Sequence, residues 1–146
     1  MQTDARQSSA ERAAEPLFPN GDLASAPYVL DLRQVGAGDL PLVGGKAANL
    51  GELLRSGFAV PPGFVITTTA YDIVAADNGL RETIARAADE QDAATLHAAF
   101  AHAHIPEPIE HAIRDAYRRL GNGPVAVRSS ATAEDLPAAA FAGQQE

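Results

Sequence analysis

Apolar residues in this chain recur with two different periods, and the switches between them mark out a mixed α and β segment. Tyr28-Val29-Leu30-Asp31-Leu32 alternates and is rich in β-prone residues, which predicts a first strand. Gly36-Ala37-Gly38-Asp39 and Pro41 break that pattern and predict a turn leading to the Gly44-Gly45 pair. From Lys46 to about Ser56 the period changes: Ala47, Leu50, Leu53 and Leu54 return at three- and four-residue spacing. They predict one helix face, with Gly57 placed to stop the helix. Pro61-Pro62-Gly63 predicts a turn and Phe64-Val65-Ile66-Thr67 a second strand. Thr68 or Thr69 is expected to cap a helix running through Tyr71, Ile73 and Val74.

Two alanine-rich stretches, Leu80 to Ala88 and Asp92 to Ala103, read as helices. The firmest helical stripe is Ile109, Ile113, Ala116, Tyr117 and Leu120 within Glu107–Leu120. Pro106 and Pro108 mark its start, and Gly121-Asn122-Gly123 its end. Val125-Ala126-Val127 then predicts a strand that carries Arg128 into a loop. Residues 1–27 have no sustained period and are rich in Ala, Ser, Pro and charge, so they are expected to form a disordered leader.

Composition narrows the functions open to such a segment. The 146 residues suffice for one domain with a modest core, but only 5% are aromatic and much of the 46% hydrophobic content is alanine. A net charge of −8 argues against nucleic acid or an anionic membrane as partner, since both attract clustered Lys and Arg. There is no cysteine for a disulfide or a thiolate metal site, and no apolar run near the ~18–20 residues of a membrane span. Nor does the N-terminus have the basic-then-apolar order of a secretory signal. A soluble, cytoplasmic chain is expected.

Two places carry anion-binding chemistry. Gly44-Gly45-Lys46 stands before a helix, where backbone N–H groups and the positive end of the helix dipole face outward and a lysine adds charge. A Gly-Gly-Lys alone marks a turn more often than a phosphate site. Arg128, at the end of a strand and beside Ser129, Ser130 and Thr132, offers a planar fork of donors with hydroxyls nearby. Local backbone bonding is at least as good a reading of each hydroxyl. His97, His102, His104 and His111 read as solvated helix residues, with no carboxylate or cysteine at metal-ligand spacing.

The run Val127-Arg128-Ser129-Ser130-Ala131-Thr132-Ala133-Glu134-Asp135-Leu136-Pro137, followed by Phe141-Ala142-Gly143-Gln144, closely resembles a signature of the phosphoenolpyruvate synthase and pyruvate phosphate dikinase family, which includes rifampicin phosphotransferases. Leu42–Leu53 and Val60–Thr68 resemble further family motifs in the expected order, so the resemblance covers roughly residues 28–146. One departure is Ala140, where relatives typically carry serine before Phe-Ala-Gly-Gln.

The resemblance implies an α/β (α+β) fold, the N-terminal part of an ATP-grasp-like nucleotide-binding domain. It implies that Lys46 and Arg128 contact ATP phosphates and that Gly143 lies in a loop approaching the nucleotide. Magnesium would accompany ATP, but the family's ligands for it lie in the later part of that region. Glu134 and Asp135 are therefore assigned to loop structure or ion pairs. A complete member passes phosphate from ATP to a histidine on another domain, then to pyruvate, or to a rifamycin in the antibiotic-modifying branch. None of the four histidines matches that carrier. The chain is thus expected to be an incomplete ATP-binding segment, inactive alone, with an unpaired sheet edge that favours self-association. A rifampicin phosphotransferase fragment and a non-catalytic nucleotide-binding remnant are the alternatives.

Overall fold

The computed structural model describes residues 26–130, as five helices and a two-stranded antiparallel sheet. Strand β1 (Val29–Asp31) pairs with β2 (Phe64–Ile66) in the register Val29↔Ile66, Leu30↔Val65, Asp31↔Phe64. Alternation then points Leu30 and Val65 the same way, and both are buried. Between the strands, a 3-10 turn (Ala37–Asp39) leads straight into helix α1 (Leu40–Arg55). The first core sits where α1 lies against the sheet and joins Leu30, Leu32, Val35, Leu42, Val43, Ala47, Ala48 and Val65. Ala26, the last residue but one of the expected leader, is buried in it, and the Pro27 carbonyl accepts a hydrogen bond from the Thr67 hydroxyl at 2.9 Å. Residues 1–25 lie outside the described residues.

Helix α1 begins six residues before the expected start at Lys46, because the turn expected around Pro41 is helical and Pro41 occupies the first turn, where a missing N–H costs nothing. Its end is as expected. Gly57 has φ 82°, its N–H donates to Leu54 O (3.1 Å), and the Phe58 N–H donates to Leu53 O (3.0 Å), the paired bonds of a Schellman stop. Gly51 lets the chain before the 3-10 turn approach α1, since a Cβ there would meet Val35 O at 2.1 Å.

Helices α2 (Thr68–Asp77), α3 (Leu80–Glu90), α4 (Ala93–Ala101) and α5 (Glu107–Arg119) complete the described chain. The cap of α2 is Thr67 rather than the expected Thr68 or Thr69. Thr67 alone keeps the extended backbone of the strand end (φ −77°, ψ 160°), so its oxygen can accept from Ala70 N. Leu80 and Ile109 are fully buried on the helical side, while Asn78 clamps the end of α2 to the loop after α4 through both His104 backbone groups (2.7 and 2.8 Å). Helix α5 follows its expected stripe, with Ile109 and Ala116 buried.

Asp31 closes β1 with a fork to Arg33 (2.9 and 2.7 Å), and this hydrogen-bonded guanidinium holds its carboxyl below the usual carboxylate range. A depressed folded value means that the pair stabilises at neutral pH and that the gain is lost as acid protonates Asp31. Both side chains are exposed, so the gain is small. Arg33→Ala is expected to lower the urea midpoint slightly at pH 7, with the difference vanishing well below about pH 3.9, the ordinary carboxylate value. A difference that grows on acidification would contradict the pairing.

Candidate functional site

Helix α1 is broken at Gly44, whose φ of 76° and ψ of 165° belong to a region that glycine alone occupies comfortably. An unbroken helix would bond the Ala47 N–H to the Val43 carbonyl four residues earlier. Here the hydroxyl of Ser130 stands in that rung: it accepts from Ala47 N at 2.9 Å and donates to Val43 O at 2.8 Å. A polar side chain inserted into the helical ladder is an identifiable cause of a kink. Gly44 is what makes the room, because a Cβ there would lie 1.7 Å from the Ser130 carbonyl oxygen. The two segments singled out for anion chemistry, 83 residues apart at this contact, are therefore joined.

The route to Ser130 starts at the end of α5. Gly121 (φ 93°) and Asn122 (φ 56°) reverse the chain, and the Tyr117 hydroxyl fixes the reversal by donating to Gly123 O at 2.9 Å. The expected strand Val125–Val127 does not form: the segment joins no sheet among the described residues, and Val125 and Val127 are 52% and 91% exposed. Its β-branched composition suits a strand, but a strand needs a partner edge, and the described sheet pairs β1 with β2 alone.

This segment forms one wall of a cleft of about 620 Å³. Lys46 and Leu50 of α1, Leu32, Leu120 at the end of α5 and the Val60–Phe64 turn line the rest, with Arg128 at the end of the segment. Among the described residues that line it, Lys46 and Arg128 are the only charged ones, in a chain whose net charge is −8. Two cations beside an apolar surface suit a ligand with a strongly anionic group and a less polar body, since an apolar wall weakens solvent screening of the charges. A second cavity of about 270 Å³, between Ile66, Leu80, Phe100 and Ile109, has no charged residue among its described lining.

Of the other expected site residues, Gly143 lies outside the described residues, as do Thr132, Glu134, Asp135 and Ala140. The histidines stay apart: His102 Nδ1 is 2.8 Å from Ala98 O, and His111 pairs with Asp115 at 3.1 Å. Among the described residues, no three His, Cys, Asp or Glu side chains come together as a metal site. Sequence reasoning missed the part played by Ser130. The only local signal was a glycine pair capable of breaking a helix, which does not say what fills the break.

Comparison with known proteins places the sequence that builds this cleft. Residues 40–146 match the family model described as "Pyruvate phosphate dikinase, AMP/ATP-binding domain". The chain is 44% identical over 135 residues to the phosphoenolpyruvate synthase of Aeropyrum pernix, covering 81% of this chain and 16% of that protein. It is 43% identical over 131 residues to the rifampicin phosphotransferase of Streptomyces sviceus, covering 82% of this chain and 15% of the relative. With the phosphoenolpyruvate synthase of Escherichia coli it shares 41% identity over 141 residues, covering 84% and 18%. The chain thus spans about a sixth of the length of these relatives.

Proposed function

The chain belongs to the pyruvate phosphate dikinase AMP/ATP-binding domain family, and from that premise we propose that the cleft between Lys46 and Arg128 grips the phosphates of ATP. The observation that carries the reading is that these two cations line one cleft and are the only charged residues among its described lining. In this reading the segment is the beginning of an ATP-grasp-like domain. Its share of the reaction is electrostatic: Lys46 acts as a point charge and Arg128 as a fork, together offsetting the charge that builds on transferring phosphoryl oxygens. In the complete protein the phosphate passes to a histidine on another domain and then to an acceptor, in the cytoplasm where ATP is available. No helix among the described residues is long and apolar enough to cross a membrane.

Magnesium does not fit the described lining. A hard cation takes oxygen ligands, carboxylates above all, and the described residues of this cleft present two positive side chains and no acid. Its ligands belong to other parts of the domain. Acceptor choice, pyruvate or a rifamycin, likewise belongs elsewhere, because relatives of both kinds match this segment at nearly equal identity.

Lys46→Ala and Arg128→Ala are each expected to weaken ATP binding roughly 10- to 150-fold, the loss of one charge-assisted hydrogen-bonded contact. His97→Ala, on an exposed face of α4, is expected to change nothing. Calorimetric titration with ATP and Mg2+ reads all three, and equal affinity in wild type and both cation variants would remove the phosphate assignment. The same chain is expected to give no ATP-dependent phosphorylation of pyruvate or rifamycin.

A further inference from the structure

We infer that Ser130 is a positioning residue for that cleft: its hydroxyl, set into the broken rung of α1, ties the loop of Arg128 to the helical turn of Lys46. The inference rests on the phosphate reading for its consequence, whereas the tie stands on geometry alone. Three observations carry it. The hydroxyl uses both of its capacities at once, accepting from Ala47 N and donating to Val43 O, and of the small side chains only Ser and Thr do both well. Gly44 has the backbone and the empty Cβ position that this approach requires. Finally, the tie joins the chain next to each cation: Ser130 is two residues after Arg128, and Ala47 directly follows Lys46. At about 3.8 Å per residue, so short a tether leaves the two charges little freedom to drift apart.

A serine that merely stabilised the fold would cost the same whatever else was missing. A serine acting through Arg128 loses its effect on binding once Arg128 is gone, and this contrast defines the experiment. The 146-residue chain is compared with Ser130→Ala, Ser130→Thr, Arg128→Ala and the Ser130→Ala/Arg128→Ala double variant. Calorimetric titration with ATP and Mg2+ is paired with amide hydrogen exchange in the absence of nucleotide.

Ser130→Ala is expected to weaken ATP binding about tenfold, the scale of one lost hydrogen-bonded link. Ser130→Thr, which keeps the hydroxyl, should stay within about threefold, and Ser130→Ala should add less than about threefold on top of Arg128→Ala. Without nucleotide, exchange at the Ala47 amide should quicken at least about tenfold in Ser130→Ala and stay slow in Ser130→Thr and Arg128→Ala. Unchanged Ala47 exchange in Ser130→Ala, or a full tenfold loss added to Arg128→Ala, overturns the inference. If wild type binds no ATP, the phosphate reading falls. The tie is then judged by Ala47 exchange alone, slow with a hydroxyl at position 130 and fast without one.

Discussion

Gly44→Ala is expected to lower the unfolding midpoint by roughly 10–40 °C and to abolish measurable ATP binding. Two costs meet at this position. The backbone region at φ 76° and ψ 165° charges a residue with a Cβ roughly 1–3 kcal/mol. The added carbon would also lie 1.7 Å from the Ser130 carbonyl oxygen, a backbone atom that no rotamer change moves aside. The cheaper relief is to release residue 130, at the cost of its two hydrogen bonds, about 1 kcal/mol each. That caps the total at about 3–5 kcal/mol, and a domain of this size loses about 4–8 °C per kcal/mol. Either response disturbs the cleft that Arg128 and Lys46 both line, so affinity falls whether the helix distorts or the loop leaves. Circular dichroism melting with ATP titration below the midpoint measures both. A midpoint within about 3 °C of wild type would mean that the break in α1 is not the constraint described.

How much of this was legible in the sequence depended on whether the cause was local. Helix α5 was read almost to the residue, because its stripe, its leading prolines and its Gly121 stop lie within the helix or beside it. Strands β1 and β2 were read for the same reason: alternation marked the first, and a β-prone run after the Pro61-Pro62-Gly63 turn marked the second. Three adjacent threonines hid the cap of α2. Any of them has the hydroxyl, but only Thr67 is anchored by a strand on one side and by Pro27 O on the other, 40 positions away. Val125–Val127 failed in the opposite direction: its composition favours a strand, yet strand formation depends on a neighbour that composition does not reveal.

The site divides in the same way. Lys46 and Arg128 were chosen for their chemistry and for a family resemblance, and both line the cleft. That the turn carrying one is held to the loop carrying the other by a serine in a helical rung is a contact across 83 residues, which no window on the sequence can see. The glycine pair was read as a loop before a helix start, with free N–H groups for an anion. In the structure the Ala47 N–H, one of the donors such a start would offer, is already taken by Ser130. The phosphate reading therefore leans on the two side-chain cations more than on the helix end.

Ile109→Ala is expected to cost about 2–5 kcal/mol, the range for removing a large aliphatic side chain from a core. Ile109 is 1% exposed and anchors α5, and the cavity of about 270 Å³ beside it is lined by Leu80, Phe100 and Ile113 as well. Truncation there enlarges a space that already exists, so neighbouring side chains have little left to collapse onto and the upper half of the range is favoured. With few aromatic anchors elsewhere, that is a large share of the 5–15 kcal/mol typical of a whole domain, and a fall of roughly 10–30 °C follows. His111→Ala, two residues along on an exposed face, should stay within about 0.5 kcal/mol of wild type. The two effects on binding should also separate. Ile109 lies at the start of α5, whereas the cleft is lined by Leu120 at the helix's far end and has its own tie at Ser130. Below its midpoint, Ile109→Ala should therefore bind ATP within about threefold of wild type, unlike Gly44→Ala. Thermal melts of the three chains with one titration each decide it, and a melt for Ile109→Ala that matches His111→Ala would mean that the α5 stripe does not form the core assigned to it.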